Sequence, residues 1–67
     1  MTTVEKIKHL ESEIHEKQTQ IEFNIEESKK GIKPIFNMKW NQELAIEIEA
    51  FENQIEKYKE SLTLISA

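Results

Sequence analysis

Two apolar stripes run along this 67-residue chain and mirror each other about a single Gly/Pro break. The first is Val4, Ile7, Glu11, Ile14, Gln18, Ile21, Ile25 and Ser28. The second is Asn41, Leu44, Ile48, Phe51, Ile55, Tyr58, Leu62 and Ile65. Both alternate steps of three and four, the spacing that keeps one side of a helix against a neighbour. Folding the chain back at Gly31–Pro34 sets Val4 against Ile65, Ile7 against Leu62, Ile14 against Ile55, Ile21 against Ile48 and Ile25 against Leu44. The pattern predicts an all-α fold, an antiparallel two-helix hairpin of coiled-coil type in one domain spanning 1–67. Helix 1 is expected over about residues 3–30, the turn over 31–36 and helix 2 over about 37–64.

The ends of the helices carry their own signals. Thr2 and Glu5 have capping-box spacing. Lys29 and Lys30 place positive charge on the last carbonyls of helix 1, Gly31 suits a left-handed residue after them, and Ile32 stands where a Schellman motif takes an apolar residue. Pro34 blocks continuation of helix 1 but can open a first turn of helix 2. Asn37 and Asn41 are both candidate N-caps. Three layers of the expected seam are polar: Glu11 opposite Tyr58, Gln18 opposite Phe51 and Ser28 opposite Asn41. Such layers either reach water at the edge of a thin seam or, as a Glu11–Tyr58 hydrogen bond would, specify the pairing.

Composition limits what supports such a hairpin. Only 37% of residues are hydrophobic and 33% are charged, which fits solvent-washed helices better than a deep core. A scaffold this small leans on disulfides, metal or a partner. The chain has no cysteine, which removes disulfides and thiolate metal sites and leaves a partner. The net charge of −4 comes from glutamate and lysine alone. No run approaches the ~18 apolar residues of a membrane span, and the N-terminus is charged too early for a signal peptide. A soluble, cytoplasmic protein with no membrane partner is expected.

Several large side chains fall outside both stripes. Leu10, Phe23, Phe36, Trp40, Ile46, Ala50 and Leu64 are the candidate partner-binding residues. On one flank of helix 2, Phe36, Trp40, Ala50 and Leu64 follow one another, with Leu10 and Asn24 of helix 1 alongside. The other flank carries Lys8, His15, Glu22, Glu52 and Lys59, a solvated pattern. Phe36 and Trp40 have a structural reading as well, in which they cover Ile32 and Ile35 at the loop end of the seam.

Chemistry is sparse. His9 and His15 are six residues apart, so they point about 240° apart on a helix and share no metal. There is no HExxH, no Gly-rich phosphate loop and no nucleophile–base pair. Catalytic, cofactor-binding and metal residues are not expected, and neither is an enzyme. Lys29, Lys30, Lys33 and Lys39 lie near Phe36 and Trp40, a mixture that can bind nucleic acid. Four lysines against a net −4 would bind phosphate weakly at physiological salt, so a nucleic-acid partner is not expected either.

The start Met1-Thr2-Thr3-Val4, Gly31 nine residues before Trp40, and the segment Ala50-Phe51-Glu52-Asn53-Gln54-Ile55 together resemble the small co-chaperones of type III secretion needle subunits, the YscE/PscE/SsaE/EscE group. The resemblance covers the whole chain. Aligning both Trp40 and Ala50–Ile55 needs a shift of about three residues, and Pro34 departs from the pattern. The resemblance implies a helical hairpin that pairs with a TPR-like chaperone, the two together keeping a needle subunit monomeric before export. Asn41-Gln42-Glu43-Leu44-Ala45 also resembles the Ser-Gln-Glu-Leu-Asp signature of Spo0E-type hairpins, with Ala45 in place of the acid such an activity would rest on. The alternative to a heteromeric co-chaperone is self-association, two copies forming a four-helix bundle as an adaptor or RNA-binding regulator.

Overall fold

A computed structural model describes the backbone of residues 2–66 and the side chains of residues 2–64. It is a hairpin of two helices, α1 (Thr3–Lys29) and α2 (Pro34–Ser66), packed along their length into a rod of 53 × 15 × 15 Å. Glutamate, lysine and leucine sustain helices well; the one glycine falls in the connection and the one proline opens α2.

Each end of α1 is closed as its sequence predicts. The Thr2 hydroxyl accepts the backbone N–H of Glu5 at 3.2 Å. At the other end Ile32 N–H donates to the Glu27 carbonyl and Gly31 N–H to the Ser28 carbonyl, each at 3.0 Å, which is a Schellman motif. Gly31 sits at φ +79°, the left-handed residue that motif requires. Lys33, at φ +44°, takes a second left-handed position with no glycine to relieve it. Pro34 is the first residue of α2, where its missing N–H costs nothing.

Starting α2 at Pro34 shortens the turn and changes the pairing. Asn24 is bonded to Asn41, and Asn37 to Ser28, whereas the mirrored stripes set Ser28 against Asn41. Heptad steps from these two pairs place Ile21 beside Leu44, Ile14 beside Phe51, Leu10 beside Ile55 and Ile7 beside Tyr58, all buried or half-buried. The helices are therefore offset by one turn from the expected register. Among the described residues Ile7, Leu44, Ile48 and Ile55 are the buried apolar ones.

The inner face of α1 is also rotated. Thr3, Ile7, Leu10, Ile14, Lys17, Ile21, Asn24 and Ser28 are buried or half-buried, while Val4, Glu11, Gln18 and Ile25 are exposed. Four members of the expected stripe thus face solvent, and the residues one position before each of them take their place. The side chain of Ile65, the expected partner of Val4, lies outside the described residues. Glu11 does not meet Tyr58: the ammonium of Lys6 lies 5.7 Å from that ring. Gln18 does not meet Phe51 either, since Lys17 Nζ lies 5.5 Å from the Phe51 ring centroid and pairs with the Glu47 carboxylate. On α2 the expected positions from Asn41 to Leu62 all face inward, joined by Asn37 and by Trp40 at the edge.

Candidate docking surface

A two-helix seam buries one side of each helix, so the remaining large apolar residues define what the surface can do. The structure scatters the seven candidate residues. Leu10 belongs to the seam: the rotated face of α1 turns it half-inward beside Ile55, and it is no part of a docking patch. Phe23 is 57% exposed on α1, and Ile46 is 68% exposed on α2. Ala50 is exposed on the shaft. Leu64 is 78% exposed because the register carries the last turn of α2 past the start of α1. Phe36 and half-buried Trp40 stay together, their ring centroids 5.9 Å apart and their planes tilted by 57°.

Phe36 and Trp40 do not cover the loop end. Ile32 and Ile35 remain 45% and 68% exposed, since Pro34 starts α2 early and turns Ile35 outward. Together with Ile25 and Met38, these residues are part of the surface that the sequence reading left out. The apolar stripe places Ile25 in the seam, and one of the two readings of Phe36 and Trp40 places Ile32 and Ile35 beneath them. Ile32 and Ile35, on either side of the Lys33–Pro34 pair where the chain reverses, are the sequence signal for the two loop residues.

One concave feature is mostly apolar. On the face that carries Ile25, an open groove runs between the helices, floored by Ile21, Ile25, Pro34, Met38 and Ala45 and edged by Ser28, Lys29, Asn41 and Gln42. It ends where Glu11, Glu52 and Glu56 make the same face acidic toward the open end of the rod. Beneath the groove lies a polar layer. Asn24 is 1% exposed: its Oδ1 accepts from Gln20 Nε2 and its Nδ2 donates to Asn41 Oδ1, both at 2.9 Å. Asn37, 5% exposed, donates to the Ile32 carbonyl at 3.0 Å and reaches the Asn24 carbonyl and Ser28 Oγ at 3.4 Å. Every buried side-chain nitrogen and oxygen among the described residues has a partner, so this layer is structural rather than an open polar site.

The ionisable groups are spread along the shaft. The hydrogen bond that Lys17 donates to the Glu47 carboxylate raises the lysine's pKa above the usual 10.5, with partial desolvation opposing it. Among the described residues no three His, Asp or Glu side chains converge on a metal position. No family model, no curated protein and no solved structure matches the chain.

Proposed function

We propose that the hairpin is a non-catalytic protein-binding module that lends its groove to an amphipathic helix of a larger partner. The observation that supports this is the groove itself: Ile21, Ile25, Pro34, Met38 and Ala45 give it an apolar floor, on a rod in which four apolar residues are buried among the described ones. Helix-in-groove recognition takes a strip of this kind, with anchors spaced by one helical turn. The resemblance to needle-subunit co-chaperones supplies a concrete partner, a TPR-like chaperone built from such helices. In that role the hairpin covers an apolar surface of the chaperone in the cytoplasm, and each protein stabilises the other by binding only its folded form.

The test is a thermal melt of the purified chain with and without the chaperone of a type III needle subunit. A partner at about a hundred times its Kd should raise the hairpin's Tm by roughly 10 °C or more. Ala45→Arg should block the groove and remove that shift while leaving the isolated hairpin folded, because Ala45 is exposed. Sedimentation of the chain alone addresses the second reading. A tight dimer that Ala45→Arg dissociates would replace the heteromeric partner with a second copy forming a four-helix bundle.

A further inference from the structure

The groove reaches the turn end of the rod through Lys29, Pro34 and Met38, and around them charge and exposed apolar surface are concentrated together. The fifteen residues from Ser28 to Gln42 hold four lysines and no acid, while the rest of the chain holds all thirteen glutamates against five lysines. Ile32, Ile35, Phe36 and Met38 are between 45% and 68% exposed within that same stretch. We infer that the turn end is an interfacial anchor for an anionic phospholipid bilayer, with Ile32, Ile35 and Phe36 entering the headgroup boundary and Lys29, Lys30, Lys33 and Lys39 meeting lipid phosphates.

Three observations favour a bilayer over a protein face. First, the apolar side chains surround the tip. Phe36 and Met38 are two residues apart on α2, so they point about 200° apart, and Phe23 and Ile25 do the same on α1. A single flat protein surface covers one of these directions; a medium that the tip enters covers all of them. Second, the depth agrees. Phe23 lies six residues before the end of α1 and Trp40 six residues into α2, each about 9 Å from its helix end. Amphipathic segments sink about 5–10 Å into the headgroup–acyl boundary. The same span of α1 also carries Glu26 and Glu27, and Glu26 lies 3.5 Å from Lys29 Nζ, so Lys30, Lys33 and Lys39 are the cations of the tip outside that pair. Third, the charges are complementary and polar along the rod: anionic lipid attracts the tip and repels the glutamate-rich shaft, which orients the hairpin end-on. Lys33 illustrates how a basic residue enters such a zone, its ammonium lying 6.0 Å from the Phe36 ring centroid.

Among the described residues no helix is long and apolar enough to cross a membrane, and this contact does not require one. Looking only for a span is why the sequence reading expected no membrane partner. The tip shares Ile25, Lys29, Pro34 and Met38 with the groove, but Ala45 lies about 16 Å from the start of α2 and stays outside the lipid, so Ala45→Arg and Ile35→Glu test the two readings separately.

Trp40 is the one tryptophan, so its emission reports on the tip. Purified chain is titrated with vesicles of phosphatidylcholine, with or without phosphatidylglycerol, and bound protein is measured by flotation. Only the anionic vesicles should float the protein and shift Trp40 emission to the blue, and added salt should reverse both. Ile35→Glu should weaken partitioning about tenfold or more, and Lys30→Gln about fivefold. Ile46→Glu is the control. Ile46 is as exposed as Ile35, both 68%, but lies about 18 Å from the start of α2, so its substitution should change nothing. Circular dichroism of these surface variants checks that each is folded. Equal binding to neutral and anionic vesicles, or equal losses from Ile35→Glu and Ile46→Glu, would overturn the inference. So would an absence of vesicle binding together with an oligomer that Ile35→Glu dissociates, which assigns the tip to a second copy.

Discussion

Asn24 and Asn41 are joined side chain to side chain at 2.9 Å across the seam, and Asn24 is 1% exposed. The sequence offers an apolar alternative, since Ile25 lies one position later and Leu44 one turn further along α2. A buried amide pair costs stability relative to a packed hydrophobic pair, and in return it specifies register because no other offset satisfies it. Replacing both asparagines with leucine is therefore expected to raise Tm and loosen the pairing. Slower hydrogen exchange in α1, with no loss of chemical-shift dispersion, would show that the pair does not set the register.

Register can be measured directly because the chain has no cysteine to interfere. The double variant Asn24→Cys/Asn41→Cys should oxidise readily to an intramolecular disulfide. Ile25→Cys/Leu44→Cys, which the mirrored stripes would join, should oxidise slowly, since Ile25 is 43% exposed and Leu44 is 7% exposed in the observed pairing. Non-reducing gels or mass spectrometry read both, and the reverse order of rates would restore the mirrored register.

The Lys17–Glu47 pair makes an alkaline prediction. The hydrogen bond donated to the Glu47 carboxylate raises the lysine's pKa in the folded state. A group raised on folding contributes its stabilisation in full below its unfolded value and loses it as pH climbs through the folded one. Urea midpoints of the wild type should therefore decline as pH rises above about 10.5 more steeply than those of Glu47→Gln. Parallel profiles would mean that the pair contributes nothing.

The turn contains two left-handed residues with opposite prospects. Nothing lies within 4 Å of a Cβ built on Gly31, so Gly31→Ala pays only for its φ of +79° and should cost about 1 kcal/mol. Lys33→Gly should recover part of the strain at φ +44°, giving a gain of up to about 1 kcal/mol. Thermal melts of the two single variants should move in opposite directions.

In the seam, Ile48 is 8% exposed and its removal opens space between two helices with little else to close it. Ile48→Ala should destabilise by about 2–4 kcal/mol. Val4→Ala, on the outward position that the stripe had assigned to the seam, should change stability by less than about 0.5 kcal/mol. A large loss at Val4 would place it inside.

Why α2 was legible and α1 was only half so follows from their residues. On α2 every expected position from Leu44 to Leu62 is apolar, and nothing competes for the inner face. On α1 two stripes share Ile7, Ile14, Ile21 and Ser28 and differ in the other half: Val4, Glu11, Gln18 and Ile25 in one, Thr3, Leu10, Lys17 and Asn24 in the other. Hydropathy alone favours Val4 and Ile25, yet Leu10 against Glu11 argued the other way. Three asparagines at 24, 37 and 41 marked a polar layer that a purely apolar template passes over. The closed ends of α1 were readable because Thr2, Gly31 and Ile32 each supply a local hydrogen-bond solution that needs no tertiary context. The groove and the tip depend on the register, and so they became visible only once Asn24 had met Asn41.

Antiparallel helices set their backbone dipoles against each other, so the electrical polarity of this rod comes from side chains alone. Its ends are about 53 Å apart, several times the ~8 Å over which charges feel one another in physiological salt. A surface approached by the tip meets a cation, and one approached by the shaft meets an anion. The hairpin should therefore be retained, weakly, on both cation- and anion-exchange media at neutral pH, although its net charge of −4 would assign it to one of them.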